Sequence, residues 1–271
     1  MDETILSDLD KRSLANAVKT NLYGLIRDLV RSPCAEVFEQ SGLMRWRTSI
    51  EHPWFNGVLC TEASSEDASR QVEDAVSYFR SHRVPAFSWW LAPELEPGSW
   101  ARHLVPRGFR YDDSMPGMAV DLLALPASVR RPGNLVIERV ETAPSMQEWA
   151  RTYAAGNEMP ASSADLTYDL ASSLGMGLPY GYYLARLGDQ PMAVSALFLS
   201  AGVAGIYFVA TLPEARRQGI GGAVVLAPLL EARDRGYRAG ILQSSNMGYS
   251  VYRRLGFERV CTVDCFVWPA G

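Results

Sequence analysis

The stretch EARRQGIGGAVV, residues Glu214–Val225, decides the interpretation of this sequence. Two arginines and a glutamine precede three glycines, and an apolar segment typical of a helix begins directly after them. The first turn of a helix has unpaired backbone N–H groups and a partial positive charge, so it favours an anion. Glycines let the backbone approach a phosphate closely. The stretch therefore predicts a site for a polyphosphate or a phosphate ester.

Two common phosphate-binding loops fit this stretch poorly. A Walker-type loop needs Lys followed by Ser or Thr after its last glycine, and neither is present. A Rossmann loop needs Gly-x-Gly-x-x-Gly in a βαβ unit, but its third glycine is replaced by Val224, and the strand before it belongs to a predicted antiparallel meander. The pattern that fits is Arg-x-x-Gly-x-Gly, formed by Arg216, Gly219 and Gly221.

This pattern, between a strand that ends in FVAT and an apolar helix, resembles the coenzyme A loop of the GCN5-related N-acetyltransferases (GNAT). The downstream segment SSNMGYSVYRRLGFERV resembles the second signature of that family, with Tyr252 and the Leu-Gly-Phe at 255–257 in matching places. Ser245 stands where the family usually has Asn, and Asn246 is adjacent. The resemblance is specific over about residues 200–260.

The resemblance implies an α/β fold with a mixed sheet, built as two tandem acetyltransferase-like domains. Each would be a mostly antiparallel central sheet flanked by helices. The hydrophobic pattern lapses at ASVRRPGN, residues 127–134, which predicts a boundary between residues 1–128 and 135–271. A Gly-Phe turn after a short helix occurs in both halves, at 108–109 and 256–257. Because only the second half has the loop, we expect the first domain to be a degenerate copy and the second to be catalytic.

The resemblance also implies acetyl-CoA as the cosubstrate, bound between two parting strands, with no metal. Tyr252 would act as general acid on the departing thiolate. The family often has a Glu on the strand before the loop, but GIYFVAT contains no carboxylate, so Glu158 or a chain of waters would serve as the base. The residues expected to bind the cosubstrate are Val209, Ala210, Thr211, Arg216, Arg217, Gln218, Gly219, Ile220, Gly221, Gly222, Ser245 and Asn246.

Composition limits the other possibilities. The 271 residues have a formal net charge of −4 and no basic block, which disfavours a nucleic-acid partner. No apolar run approaches the roughly 18 residues of a membrane span, and the acidic start is unlike a signal segment, so we expect a cytoplasmic protein without a membrane partner. Four cysteines are too few for a disulfide framework. The three histidines have no ligand spacing, which disfavours a metal site.

These observations favour an acetyl-CoA-dependent N-acetyltransferase whose acceptor is a primary amine of a small molecule or of a protein N-terminus. The alternative is an acyl-CoA-binding sensor or scaffold that does not turn over, which the missing carboxylate on GIYFVAT would favour. A monomer and a homodimer both remain open. Among the elements, the apolar spacing predicts helices over 4–30, from Ser65 onward and from about Gly221 to Arg235, the last kinked at Pro228.

Overall fold

A computed structural model describes residues 4–40, 42–62 and 67–269 of the chain. Its strands are β1 (Ala35–Gln40), β2 (Leu43–Thr48), β3 (Gly57–Cys60), β4 (Ala86–Leu91), β5 (Arg110–Asp121), β6 (Leu135–Arg139), β7 (Tyr180–Leu187), β8 (Gln190–Ser200), β9 (Val203–Thr211), β10 (Ala239–Gln243) and β11 (Glu258–Pro269). Its helices are α1 (Lys11–Asp28), α2 (Ala68–Ser81), α3 (Pro97–Leu104), α4 (Ala143–Gly156), α5 (Ser163–Leu174), α6 (Ile220–Asp234) and α7 (Asn246–Arg254). Within the described ranges, no helix is long and apolar enough to cross a membrane.

The chain forms two compact units, and neither is continuous in sequence. The first comprises residues 1–28 and 116–261, and the second comprises residues 29–115 and 262–271. These units differ from the predicted ranges 1–128 and 135–271. The difference arises because the N-terminal helix packs with the second half, and because β5 and β11 each begin in one unit and end in the other.

The unit of residues 1–28 and 116–261, here the loop unit, contains the glycine-rich stretch. Its strands follow the order β5-β10-β9-β8-β7-β6, and the pair β9–β10 is parallel while the other pairs are antiparallel. Helix α6 packs on one face of this sheet, with apolar residues such as Ile220, Val224 and Leu229 in the core. Helices α1 and α4 contact the same strands β8 and β9.

Helix α1 begins later than predicted, at Lys11 instead of residue 4. The side chain of Asp10 accepts hydrogen bonds from the backbone N–H groups of Arg12 and Ser13, at 2.7 and 2.9 Å, which fixes the start of the helix. The apolar face of α1 then packs against the loop unit through Ala17 and Val18. This packing explains why a segment from the start of the chain belongs to the same unit as its second half.

The unit of residues 29–115 and 262–271, here the second unit, has the strand order β1-β2-β3-β4-β11. Its only parallel pair among the described strands is β3–β4, and the remaining pairs are antiparallel. Helix α2 covers an aromatic core that includes Phe79, Phe87 and Trp89. The predicted start of this helix at Ser65 lies outside the described residues, and β1 was not predicted.

Both units therefore have a mostly antiparallel central sheet flanked by helices, with one parallel pair joined by a crossover helix. This confirms the predicted α/β fold class with its mixed sheets. In each unit the strand beside the parallel pair comes from the other half of the chain, since β5 pairs with β10 and β11 pairs with β4.

Helix α6 continues through Pro228, which is buried inside it. Proline has no N–H group, so the carbonyl of Val224, four residues earlier, loses its helical partner. The hydroxyl of Ser195, on β8, donates to that carbonyl oxygen at 2.7 Å. Ser195 is fully buried, and it therefore provides the bond that the proline removes.

We expect Ser195→Ala to lower the free energy of unfolding by about 1–3 kcal/mol, because it leaves the buried Val224 carbonyl without a partner. In the Pro228→Ala background, Ser195→Ala should lower the free energy of unfolding by less. The alanine introduced at position 228 has an N–H group that can donate to the Val224 carbonyl. The measurement is a double-mutant cycle by urea unfolding, in which we expect a coupling energy of at least about 0.5 kcal/mol between the two substitutions. An equal effect of Ser195→Ala in both backgrounds would contradict this account.

Candidate active site

Strand β9 contains a bulge next to the glycine-rich loop. Val194 on β8 pairs with Ala210, whereas Ala196 pairs with Tyr207, so two residues of β9 lie opposite Ser195. One of these two, Phe208, has a positive φ of 51°. That backbone conformation is strained for a residue other than glycine, by roughly 1–3 kcal/mol. A bulge bends its strand, and this one lies at the start of the segment predicted to bind acetyl-CoA.

Helix α4 stabilises the bulge from the side. The indole N–H of Trp149 donates to the backbone oxygen of Ser195 at 3.1 Å, at the point where the regular strand pairing is interrupted. The rings of Trp149 and Tyr153 both pack edge-on against Phe208, with centroid distances of 5.9 and 5.6 Å. The helix thus supplies a polar partner for Ser195 and an aromatic surface for Phe208.

Strands β9 and β10 separate past Gly205, shortly before the bulge. Their register includes only Gly240 with Ala204 and Ile241 with Gly205, although β9 continues to Thr211 and β10 to Gln243. The predicted binding residues Val209, Ala210 and Thr211 lie on this part of β9, past the last recorded pair. The two strands therefore open toward their C-terminal ends, as expected for a slot that receives an extended ligand.

The glycine-rich loop leads from the end of β9 to the start of α6. Arg217 and Gly219 have left-handed φ values of 63° and 82°, and α6 begins at Ile220. A Cβ atom at Gly221 would lie 3.0 Å from the Thr211 hydroxyl oxygen, so the end of β9 contacts the first turn of the helix. The N–H groups of this turn thereby lie beside the open strand end, which suits a phosphate group.

Arg216 has a different environment from the one predicted. Its guanidinium donates to the carbonyl oxygens of Thr211, at 3.2 Å, and Gly156, at 3.0 Å. It thus joins the loop to the end of α4. A Cβ atom at Gly156 would lie 2.9 Å from the Cβ of Ala210, so helix and strand are in direct contact there. Arg216 holds the loop in shape through these bonds, and Arg217 is the loop arginine that remains available for an anion.

Glu158 lies next to the loop through this same arginine. Its carboxylate is 3.5 Å from the Arg216 guanidinium, and its side chain is 72% exposed. The backbone of Glu158 is left-handed, with φ 56°, just after the end of α4. The structure thus brings the candidate base to the edge of the loop, in a weak ion pair and accessible to water.

Tyr252 lies on α7 with its ring folded back toward the start of that helix. A Cβ atom at Gly248 would be 2.7 Å from ring carbon Cε2 and 3.3 Å from the hydroxyl oxygen, so the ring covers this glycine. Burial raises the pKa of Tyr252 to about 12. On the preceding residue, the Val251 side chain lies 3.7 Å from a Cβ placed at Gly222, which brings α7 against the first turn of α6.

The remaining predicted residues have varied environments. Ser245 is the N-cap of α7, since its hydroxyl accepts a hydrogen bond from the Gly248 N–H at 3.2 Å. Asn246 is the first residue of that helix. The Gln218 side chain donates to the Glu214 carbonyl at 2.8 Å, which stabilises the turn of the loop. Ile220 is buried in the core, so only its backbone can contact a ligand.

Sequence reasoning did not identify a polar pair at the open strand ends. The Tyr207 hydroxyl donates to the side-chain oxygen of Asn21, at 2.8 Å, and Asn21 is fully buried on α1. The buried side-chain amide of Gln243, the last residue of β10, also interacts with the Tyr207 hydroxyl. Tyrosine and asparagine separated by 186 residues offer no local pattern by which this pair could have been found.

Comparisons with known proteins agree with this geometry. The family model "Acetyltransferase (GNAT) domain" matches residues 179–259. No curated protein matches the sequence. Among solved structures, a GCN5-related N-acetyltransferase from Kribbella flavida is 22% identical with a TM-score of 0.71, over 94% of this chain and 96% of its own.

Two further structures have the same fold. A GCN5-related N-acetyltransferase from Sphaerobacter thermophilus is 14% identical with a TM-score of 0.63, over 96% of this chain and 91% of its own. A tandem GNAT protein from the clavulanic acid biosynthesis pathway is 12% identical with a TM-score of 0.56, over 99% of this chain and 98% of its own. At these identities the structures establish the fold alone.

The parting strands and the loop define an acetyltransferase-type fold. They lie within residues 179–259, which match the family model of the GNAT domain. The family recognised from the glycine-rich loop is therefore confirmed.

Proposed function

We propose that the loop unit transfers an acetyl group from acetyl-CoA to a primary amine of a small molecule or of a protein N-terminus. The observation that carries this proposal is the separation of β9 from β10 directly beside the first turn of α6. Acetyl-CoA supplies the reactive thioester. The exposed backbone of Val209 to Thr211 would pair with its pantetheine arm, and the N–H groups from Arg217 to Gly222 would bind its pyrophosphate.

The second unit has the same parallel pair but no slot. Gly57 to Cys60 of β3 pair continuously with Ser88 to Leu91 of β4. The pairing extends past the strand ends, since the Ala92 N–H donates to the Cys60 carbonyl at 2.8 Å. An extended ligand would have to break these bonds. We therefore propose that this unit is a degenerate copy and that each chain has one acetyl-CoA site.

The proposed role of Tyr252 is to donate to the departing sulfur. A thiol has a pKa near 8.5, and burial raises the pKa of Tyr252 to about 12. Complete proton transfer from the phenol to a free thiolate would thus cost about 5 kcal/mol. A hydrogen bond to the developing thiolate in the transition state has no such cost. Tyr252 therefore stabilises the leaving group while still protonated, and the departing thiolate takes its proton from water.

We propose Glu158 as the group that accepts the proton of the amine. Its exposure and its weak pairing with Arg216 leave the carboxylate able to contact either an acceptor or a water chain that leads to one. General-base catalysis of this kind contributes typically 10²–10⁴-fold to a rate.

Tyr252→Phe should lower kcat by roughly 10²-fold with little change in acetyl-CoA affinity, because only the interaction with the departing sulfur is lost. Tyr249→Phe, on the exposed side of the same helix, is the matched control and should keep its rate. Since the Tyr252 phenol stays protonated well above pH 10, the wild-type kcat should show no loss from its ionisation between pH 7 and 10. Steady-state assays of thiol release over this range test all three statements.

Glu158→Gln should lower kcat by roughly 10²-fold at neutral pH, because the amide cannot take a proton but can still accept a bond from Arg216. Glu214→Gln, an exposed carboxylate on the same loop, serves as the control. A rate in Glu158→Gln that equals the wild-type rate at every pH would remove Glu158 from the mechanism and favour the water chain alone.

Calorimetric titration with acetyl-CoA should give one site per chain. Gly221→Val should abolish binding, because the valine side chain would occupy the space at the first turn of α6 in which the pyrophosphate is proposed to bind. Gly177→Val is the control, since a Cβ atom at Gly177 meets nothing within 4 Å. Two sites would mean that the second unit also binds. Binding without turnover on any amine would favour the alternative of a sensor or scaffold, and absence of binding would exclude both functions.

A further inference from the structure

The segment predicted as a domain boundary, residues 127–134, lies against the acetyl-CoA loop. A Cβ atom at Gly219 would collide with the Arg130 carbonyl oxygen and would lie 3.6 Å from the Arg131 Cα. Gly219 thus has two reasons to be glycine, its left-handed backbone and the contact with this segment. The backbone of two consecutive arginines therefore touches the loop directly before the first turn of α6.

The segment is anchored on both sides of these arginines. Leu125 and Leu135 are buried in the core that α6 covers, and Val129 packs against the same core. The Leu135 N–H donates to the Pro132 carbonyl at 3.1 Å, which closes a turn after the arginines. Arg130 and Arg131 are consequently held at a fixed distance from the loop, although the residues between the anchors look like a linker in sequence.

The side chains of these two arginines are available to a ligand. Within the described ranges, neither Arg130 nor Arg131 makes an ion pair or a side-chain hydrogen bond, and Arg217 makes none either. Three arginines without an ion pair thus lie in the loop or on the segment whose backbone touches it, in a chain whose net charge is −4. Like charges repel, so such a cluster is favourable mainly when it meets an anion.

Coenzyme A has a phosphate monoester on its ribose in addition to the pyrophosphate. The first turn of α6 suits the pyrophosphate, but the phosphate monoester on the ribose carries further negative charge and needs other donors. Arginine is the side chain best suited to a phosphate, because its planar guanidinium can donate two parallel hydrogen bonds. Arg130 and Arg131 carry such groups on a segment whose backbone touches the loop.

We propose that Arg130 and Arg131 bind the ribose 3′-phosphate of the cosubstrate, and so select coenzyme A thioesters over those of dephospho-coenzyme A. This inference rests on the proposed function, because it assigns residues to the same acetyl-CoA site. It assigns recognition of that phosphate to a segment outside the region that matches the family model.

The test compares binding of acetyl-CoA and acetyl-dephospho-CoA by calorimetry in the full chain. Wild-type protein should bind acetyl-CoA about tenfold more tightly, the size expected for charge-assisted hydrogen bonds to one phosphate. Arg130→Gln/Arg131→Gln should bind both ligands with the affinity that wild-type protein has for acetyl-dephospho-CoA. Thermal unfolding of the variant checks that it remains folded, and Arg130→Lys/Arg131→Lys, which keeps both charges, should retain part of the preference.

Lys11→Gln/Arg12→Gln is the matched control, since it removes two exposed charges at the start of α1. The segment before α1 contacts Gly236, beyond the far end of α6. This control should keep the wild-type preference. Equal affinity of wild-type protein for both ligands would overturn the inference and leave the proposed function standing, as would an equal loss for both ligands in the arginine variant. No binding of either ligand by wild-type protein would overturn the inference and the proposed function together.

Discussion

The loop unit depends on one constraint, which is that β9 stays paired with β8 up to Thr211 but with β10 only as far as Gly205. The bulge opposite Ser195 lies just past that last pair, and it bends β9 while the strand continues along β8. The cost is a left-handed Phe208 and an interrupted ladder. The proposed chemistry uses the space that results, because the loop and the first turn of α6 lie beside the open end of β9.

Ser195 links the bulge to helices α4 and α6 through two buried groups, its backbone oxygen and its hydroxyl. Its backbone oxygen, left over by the bulge, accepts from the Trp149 indole on α4, and its hydroxyl compensates for the proline in α6. Ser195 thus makes both hydrogen bonds that compensate for the two irregularities, the bulge in β9 and the proline in α6. Because unpaired buried polar groups are costly, these bonds hold α4, β8 and α6 in a single arrangement around the slot.

The sequence predicts the parts of this arrangement that are local. The loop, the helix after it and the place of Tyr252 follow from residues within about 40 positions of each other, and the fold class follows from the family they resemble. The predicted ranges of the domains missed the exchange of β5 and β11, because strand partners far apart in sequence leave no periodic signal. The sequence also did not predict the contact between Arg130 and Gly219. These residues are far apart in the chain, and the composition of residues 127–134 is that of a linker.

The two units show why the parallel pair β9–β10 separates at its end while the parallel pair β3–β4 stays fully paired. In the loop unit, α4 and α5 lie between β6 and β7, and α4 supplies Trp149 and Tyr153 to the bulge. In the second unit, β1 takes the place that β7 has in the loop unit, and the helix before β1 in the chain, α1, belongs to the loop unit. A bulge in β3 would there leave a carbonyl without the indole that satisfies it. Continuous pairing of β3 with β4 is the arrangement that keeps every backbone group bonded, so the slot belongs to the unit that has the helices to support it.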